Sequence, residues 1–452
     1  MTFNYDISLS GLTAAKHALK VTQNNVANIN TEGYARERVS LSPSESVIGG
    51  GVEGQIGTGV FTEKIERIKD DLLIQQVRSQ STKVSYFKNM ESGLSNIESI
   101  TGELSDGSIT NVTQDFFNSW EELSKYPTEK SYREQVVGSG KELAFKLNTV
   151  SEDLRVYRNE LDNKIEVDID SANSLAQQIA RINKQIQNSD STSPNALLDK
   201  RDYYLDKLSE IGDVHIVSNS KDPNLLDVEL GGMMVVSGTN AQKIDGIYNK
   251  QEDRWVLAVG NVPMRLKEGS LVANLEVRNQ YIPQSSKKID ELANVIITNV
   301  NSIHEQAYGL DGSTGHSFFV GTNASTIKVA DEVDKNSDYV SVSTSPSETG
   351  NSDVARKLAD LQQAPIMNDG KSPVEDWTGF VVSFGQKLSS ISDSAEVYGN
   401  VLNDLTSQKQ SVQGVDLDEE LAKLMEYEKF FQSNGKVLQA IDGIFKDLLN
   451  MV

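Results

Sequence analysis

Apolar positions in the first thirty residues fall on one narrow helical stripe. Leu12, Ala15, Leu19, Thr22, Val26 and Ile29 follow one another at steps of 3, 4, 3, 4 and 3, the seven-residue repeat of a coiled-coil seam. The stripe ends in the turn chemistry of residues 28–33 (NINTEG). Residues 49–59 (GGGVEGQIGTG) then hold six glycines in eleven positions, so 31–62 reads as extended, loosely ordered chain. Helical periodicity returns near Glu63 and runs to about residue 212. It is clearest at Ala172, Leu175, Ile179, Ile182 and Ile186, and Ser193-Pro194 opens its last helix, which Gly212 ends. Between 213 and 282 the period changes. Short β-rich runs at 214–217, 230–236 and 255–259 alternate with Gly, Asn and Asp turns. Helix returns at 289–303, and 311–350 is a loop region rich in Ser, Thr, Gly and Asp.

The last hundred residues are the most regular. Trp377, Val381, Phe384, Leu388, Ile391, Ala395, Tyr398, Leu402 and Leu405 step alternately by 4 and 3. After a break at 412–416 (VQGVD), Leu424, Tyr427, Phe431, Asn434, Leu438, Ile441, Phe445, Leu448 and Val452 step by 3 and 4, with Leu417 and Leu421 extending the start. Asp416 fits an N-cap, with Glu419 as its capping-box partner. The stripes at 147–190 and 377–405 read as the core of an intramolecular bundle.

These elements predict a mainly α protein with a smaller β part, elongated and divided into several domains. Residues 1–62 and 412–452 form a terminal assembly domain with an extended linker, its N- and C-terminal helices pairing as a coiled coil. Residues 63–212 and 283–411 form a long helical rod or bundle, and 213–282 a small inserted β-domain. The terminal helices carry the functional expectation. A helix of about 20 residues is marginal alone in water, and the ordering cost of two tails exceeds what one buried seam returns. They pair with each other, pack on neighbouring subunits, or stay unfolded until they do, and the reading favours termini that fold on assembly.

Composition narrows this further. The 452 residues carry a net charge of −22, which argues against a nucleic-acid binder and against docking on anionic lipid. Residues 1–38 are net +1 and 412–452 net −4, which leaves −19 of the acidity in between. There is no cysteine, so disulfides and cysteine metal sites are out. The N-terminus has no signal-peptide pattern, and no window is apolar enough to span a membrane.

No catalytic, cofactor or metal site emerges from the motifs. Gly57-Thr58-Gly59 lacks the strand and helix context of a phosphate cradle. His17, His215, His304 and His316 have no ligand spacing. Residues 311–315 (DGSTG) lack the further ligands of a calcium loop. Asp199, Arg201 and Asp202 read as a charge cluster with local salt bridges at a helix start. Asn24, Asn25 and Asn28 are poor helix formers inside a helical stripe. They read equally as C-capping before the turn or as amide hydrogen bonds in a buried subunit contact.

Residues 24–28 (NNVAN) with 30–34 (NTEGY) resemble the N-terminal signature of bacterial flagellar rod, hook and hook-associated proteins. Residues 414–421 (GVDLDEEL), with Leu424-Met425 and the run from Phe430 to Leu448, resemble their C-terminal signature. Residues 197–202 (LLDKRD), Gly269-Ser270-Leu271 through Val277-Arg278, and 289–319 are similar to one branch, the hook–filament junction proteins of the hook-associated protein 1 family. Glu37 stands where that family often has Gln. The resemblance implies a non-enzymatic flagellar subunit, outside the cell and exported unfolded through the flagellar type III route without a cleaved signal. Its implied partners are further copies of itself in a helical or ring layer, hook protein, the second junction protein, and an export chaperone at about 415–450, with neither nucleic acid nor membrane. The implied assembly residues are Leu12, Ala15, Leu19, Asn24, Asn25, Val26, Asn28, Ile29, Gly33 and Tyr34 at the front. At the back they are Leu417, Leu421, Leu424, Tyr427, Phe431, Leu438, Ile441, Phe445 and Leu448. Two other readings stay open: a hook or rod subunit, which would be strand-rich between its ends, and a tethered wall hydrolase with its site in 213–282.

Overall fold

The computed structural model describes residues 2–451 except 46, 49–54, 103–106, 190–193, 221 and 223. Four of the glycines in the run at 49–59, with Ser193 and Val452, therefore lie outside the described residues. The chain opens with helix α1 (Thr2–Ala27). A ribbon follows in which β1 (Glu37–Pro43) pairs antiparallel with β4 (Val60–Arg67), and a short pair, β2 (Val47–Ile48) and β3 (Gln55–Ile56), lies between them. The segment that reads as loosely ordered is thus tied by a ladder. Glu63, where the sequence pattern restarts helical periodicity, sits in β4, and the helix begins at Asp71 behind an Asp70 N-cap.

The body is built from α2 (Asp71–Thr101), α3 (Ile109–Lys125), α4 (Lys130–Gln187) and α5 (Asn195–Ile211). Helix α4 runs unbroken for 58 residues, about 87 Å at the α-helical rise. Two antiparallel meanders come next. One is β5 (Val214–Ser218), β6 (Leu226–Leu230), β7 (Met233–Ser237) and β8 (Asn240–Ala241); the other is β9 (Ile244–Asn249), β10 (Arg254–Val259) and β11 (Val262–Met264). Helix α6 (Ser270–Glu276) then passes through a π-helical turn (Val277–Tyr281) into α7 (Ile282–His304). The helix that the sequence places from residue 289 therefore begins nineteen residues earlier. Pro283 hides it, because proline lacks a ladder donor, but the wide turn just before it absorbs the mismatch. Beyond come β12 (Phe319–Val320), β13 (Lys328–Val329), α8 (Asp331–Lys335) and α9 (Asp353–Asp360). Helix α10 (Pro373–Gln413) starts on a Ser372–Glu375 capping box, and α11 (Leu417–Asn450) ends the chain.

Two cores lie side by side along α4. The first gathers α2, α3, the front of α4, α7 and the 318–361 region around Phe116, Trp120, Phe318 and Phe319, with Trp120 and Phe318 ring centroids 5.4 Å apart. The second packs Ile165, Ile169, Ala172 and Ile179 of α4 and Leu205 and Leu208 of α5 against Val228, Val236, Ile244 and Leu257 of the strands. The stripes at 147–190 and 377–405 face inward as read, α10 lying along α2 with Trp377, Ile391 and Ala395 buried. No helix among the described residues is long and apolar enough to cross a membrane.

Asparagines recur at the helix–strand contacts. Asn173 of α4 donates to Ile244 O at 2.9 Å and accepts from Ile244 N at 2.8 Å. Asn279 does the same to Trp255, at 3.1 Å both ways, and Asn301 to Phe319, at 2.7 and 3.0 Å. A primary amide has one donor–acceptor face that matches one residue's N–H and C=O. Each helix thereby completes the ladder position of a strand residue that would otherwise lie buried and unpaired.

Within the first core His304 is fully enclosed. Its Nδ1 lies 2.6 Å from His316 O and its Nε2 accepts from Ser341 N at 2.8 Å. That pattern fits a neutral ring with the proton on Nδ1, and burial holds its pKa down to about 4 from 6.5. An unfolded histidine protonates first as pH falls, so its contribution is intact above about 6.5 and is lost as pH drops toward 4. Urea midpoints measured across that window should fall for the wild type. A His304→Gln variant should start lower but stay flatter through the same window, and parallel curves would contradict the assignment.

Candidate assembly interface

Helices α1 and α11 run antiparallel, with Gly11 beside Asn434 and Asn25 beside Glu420. The approach at Gly11 is tight, since a methyl there would stand 2.6 Å from Asn434 Oδ1. The predicted α1 seam is divided by this packing. Its small members Ala15 and Thr22 are buried in one row with Ser8, Gly11, Ala18 and Asn25, while Leu12, Leu19 and Val26 lie half-buried along the edge. Ile29 is exposed past the helix end. Small residues face inward because the ribbon and α11 both press on the same helix. Ser10 Oγ accepts from Val60 N at 3.2 Å, and Gly59, at φ +114°, crosses so close that a methyl would meet that hydroxyl at 2.2 Å.

The other predicted residues spread around α11. Leu424, Tyr427, Leu438, Ile441 and Phe445 are half-buried, whereas Leu417, Leu421, Phe431 and Leu448 are exposed. Asp416 Oδ1 caps the helix by accepting from Glu419 N at 2.9 Å. The Glu419 carboxylate turns to Arg36 instead of closing the box, with Arg36 Nη1 at 2.6 Å. Lys423, 2.8 Å away, and Arg36 together hold that carboxyl below its usual range.

Asn25 is the centre of a clasp between the two ends of the chain. Its amide pairs with the backbone of Glu37, donating to O and accepting from N, both at 2.9 Å. It also donates to Glu420 Oε2 at 2.9 Å and accepts from the Tyr34 hydroxyl at 2.7 Å. Glu420 is the one buried residue among the described positions of α11, and Lys423 lies 3.3 Å from its other oxygen. Burial, with the carboxylates of Glu37 and Asp199 nearby, pushes the Tyr34 phenol up, so it serves as a donor. Asn28 instead donates to Asn24 O at 2.9 Å, closing the end of α1 before the turn at Gly33, whose φ is +81°. Asn28 thus fits the C-capping reading, whereas the buried amide contact of Asn25 lies within one chain and not between subunits.

A second tier ties this clasp to the body. Arg67, at the end of β4, lies 2.8 Å from both Asp199 Oδ1 and Asp202 Oδ2. Arg78 of α2 reaches Asp202 at 3.2 Å and Asp206 at 2.5 Å, and Lys409 of α10 reaches Asp206 at 3.2 Å. The cluster at 199–202 is thus a long-range network rather than a local one. Arg201 turns away from it, donating to Asn183 Oδ1 at 3.1 Å and Asn224 O at 3.0 Å. Burial lifts the Asp199 carboxyl to about 6 against the pull of Arg67. Burial also pushes Asp202 up, but Arg67 and Arg78 outweigh it and hold it low. Arg36 N donates to Gln413 O at 2.9 Å, joining the points where the two tails leave the body.

Arg36, Glu37, Arg67, Glu419 and Glu420 join the ends to each other and to the body without belonging to the apolar stripes that the sequence pattern marks. Glu420 had a legible signal, an acid at a seam position one turn before Leu424.

Comparison with known proteins places this architecture. Residues 94–319 match the family described as "Flagellar hook-associated protein FlgK helical domain". Residues 6–34 match "Flagella basal body rod protein" and 408–451 match "Flagellar basal body rod FlgEFG protein C-terminal". The chain is 28% identical to a flagellar hook-associated protein 1 of Bacillus subtilis, over 97% of this chain and 96% of the relative. It is 25% identical to that of Salmonella typhimurium, over 98% and 99%. In fold it resembles the flagellar hook junction protein FlgK of Burkholderia pseudomallei, with a TM-score of 0.66 and 14% identity, over 75% of this chain and 100% of that one.

Proposed function

We propose, for a chain that belongs to the flagellar hook-associated protein FlgK family, that its paired ends are the part that seats it in the flagellum. It is a structural flagellar component that joins hook to filament, and not an enzyme. The supporting observation is the clasp: the two terminal signatures, some four hundred residues apart, meet at Asn25 and Glu420. On this reading residues 1–62 and 412–452 form the assembly domain, 63–212 with 283–411 the helical body, and 213–282 a small β-domain inserted in it. The interface runs from Leu12, Leu19 and Val26 through Asn24 and Tyr34 to the exposed apolar residues of α11. Neighbours are further copies of the chain, hook protein below and the second junction protein above. An export chaperone shields residues 415–450 before passage, unfolded, through the flagellar type III route. The strand-rich hook or rod alternative is not favoured, because the chain between the ends is mainly helical.

Deletion of the gene tests the reading. Hooks should remain complete, filament subunits should be shed into the medium, and swimming should stop. Filaments still attached to the hooks of the deletion strain would overturn it.

A further inference from the structure

Helix α11 carries a second seam that the chain does not use. Phe430, Val437 and Ile444, with Met451 just past the helix end, repeat at every seventh position and are 38%, 50%, 59% and 76% exposed. They stand on a different face from Tyr427, Leu438 and Phe445, which are half-buried on the α1 side. Of the intervening seam positions, Ser433 and Ala440 are small and exposed, and Glu426 and Asp447 are acidic and exposed. A strict seven-residue apolar repeat keeps facing one partner only if that partner is another helix supercoiled along it.

Helix α1 has the matching free edge. Tyr5 and Leu9 are exposed, and Leu12 and Leu19 lie half-buried on the same line, again at heptad steps with Lys16 among them. This line is rich in large side chains, and between Phe430 and Ile444 the α11 seam alternates large with small, so over that stretch knobs of one meet holes in the other. Charge agrees. Glu426 and Asp447 occupy in-between positions of the α11 seam, opposite in sign to Lys16 and the neighbouring Lys20. The α11 segment at net −4 would repel its own copy, whereas residues 1–38 are net +1. Within one molecule the small-residue row of α1 is already committed to the α11 contact, so its large-residue edge is left for another copy.

We propose that the outer seam of α11 is the seat of helix α1 from a second copy of this chain. The inference rests on the assembly role of the paired ends and names the partner face. Each terminal pair then offers one donor edge and one acceptor seam, a head-to-tail contact that propagates around a layer.

The absence of native cysteine makes the test direct. Two gene copies are expressed together in the native bacterium, one with Leu9→Cys, the other with Phe430→Cys, Val437→Cys or Ile444→Cys, and isolated flagella are oxidised. At least one pairing should give the mixed disulfide about ten-fold above either homodimer. Homodimers of the α11 variants in excess would mean that α11 meets α11, and no mixed product from any pairing would mean that another protein covers the seam. Either result overturns the proposal. A second arm replaces both Val437 and Ile444 with Glu. Circular dichroism and melting of the purified chain should be unchanged, while swimming of the complemented deletion strain is lost. Normal swimming with that variant sinks the seam but leaves the junction role standing. Attached filaments in the deletion strain itself would instead sink the junction role.

Discussion

Alanine at Asn25 will loosen the two ends of the chain from each other without unfolding the body. The side chain makes four hydrogen bonds, to Glu37 O, Glu37 N, Glu420 and Tyr34. An average hydrogen bond contributes about 1 kcal/mol, but a buried group stranded without its partner costs roughly 1–3 kcal/mol. The variant strands two such groups, the Glu420 carboxylate and the Glu37 amide. The expected loss for the terminal module is about 3 kcal/mol, a rise of roughly a hundred-fold in the open population. Hydrogen exchange should accelerate by that factor in α1 and the first half of α11 and stay unchanged in α3 and α4. Asn25→Asp discriminates further. It retains an acceptor for the Glu37 amide but sets a second carboxylate against Glu420, so at neutral pH it should be at least as damaging. An unchanged exchange rate at α11 would show that the clasp is incidental.

The second large effect is expected at Arg278. Its side chain is 1% exposed and is met by Asp162 Oδ1 at 2.6 Å and Asp253 Oδ1 at 3.0 Å, with the Asp253 carbonyl also accepting from it. Trp255 Nε1 donates to the same Asp162 oxygen at 2.7 Å. The guanidinium therefore fastens the β9–β10 turn, where Asp253 takes a positive φ, to the middle of α4. Removing one partner of a buried pair costs about 3–5 kcal/mol when the other stays dry. Both carboxylates here keep some water, 27% and 45% exposed, so Arg278→Ala should lie near the lower end, about 3 kcal/mol. Arg278→Lys restores charge but not the forked geometry and should recover less than half. The check is urea unfolding read by exchange in β9–β11 against α3. Equal loss in both would mean the two cores unfold as one unit.

What the sequence disclosed follows the range of each interaction. The stripes at 172–186, 377–405 and 424–448 are legible because a helix repeats every 3.6 residues and needs no distant information. The β1–β4 ribbon was not legible, since neither strand alternates cleanly and each is identified only by the other. The ion network at Arg67, Arg78 and Asp202 escaped for the same reason: its partners are 124–135 positions apart. The α1 seam is legible in the sequence, but only as a single face. Leucines and small residues alternate along it, and only packing on two sides at once reveals that they serve different neighbours. The interface residues placed by resemblance are mostly the large apolar ones. The polar residues that join the ends, Arg36, Glu37 and Glu420, look like ordinary surface charges until the fold folds them in.

The asparagine clasps also bear on how this protein can drift over generations. Asn25, Asn173, Asn279 and Asn301 all read main chain, the N–H and C=O of Glu37, Ile244, Trp255 and Phe319. Every residue but proline presents those same two groups. The clasped position can change its side chain without altering the grip, while the amide that grips it has no substitute of equal reach. Tolerance and constraint are therefore divided unevenly across each contact, with the strand side free to diversify and the helix side held.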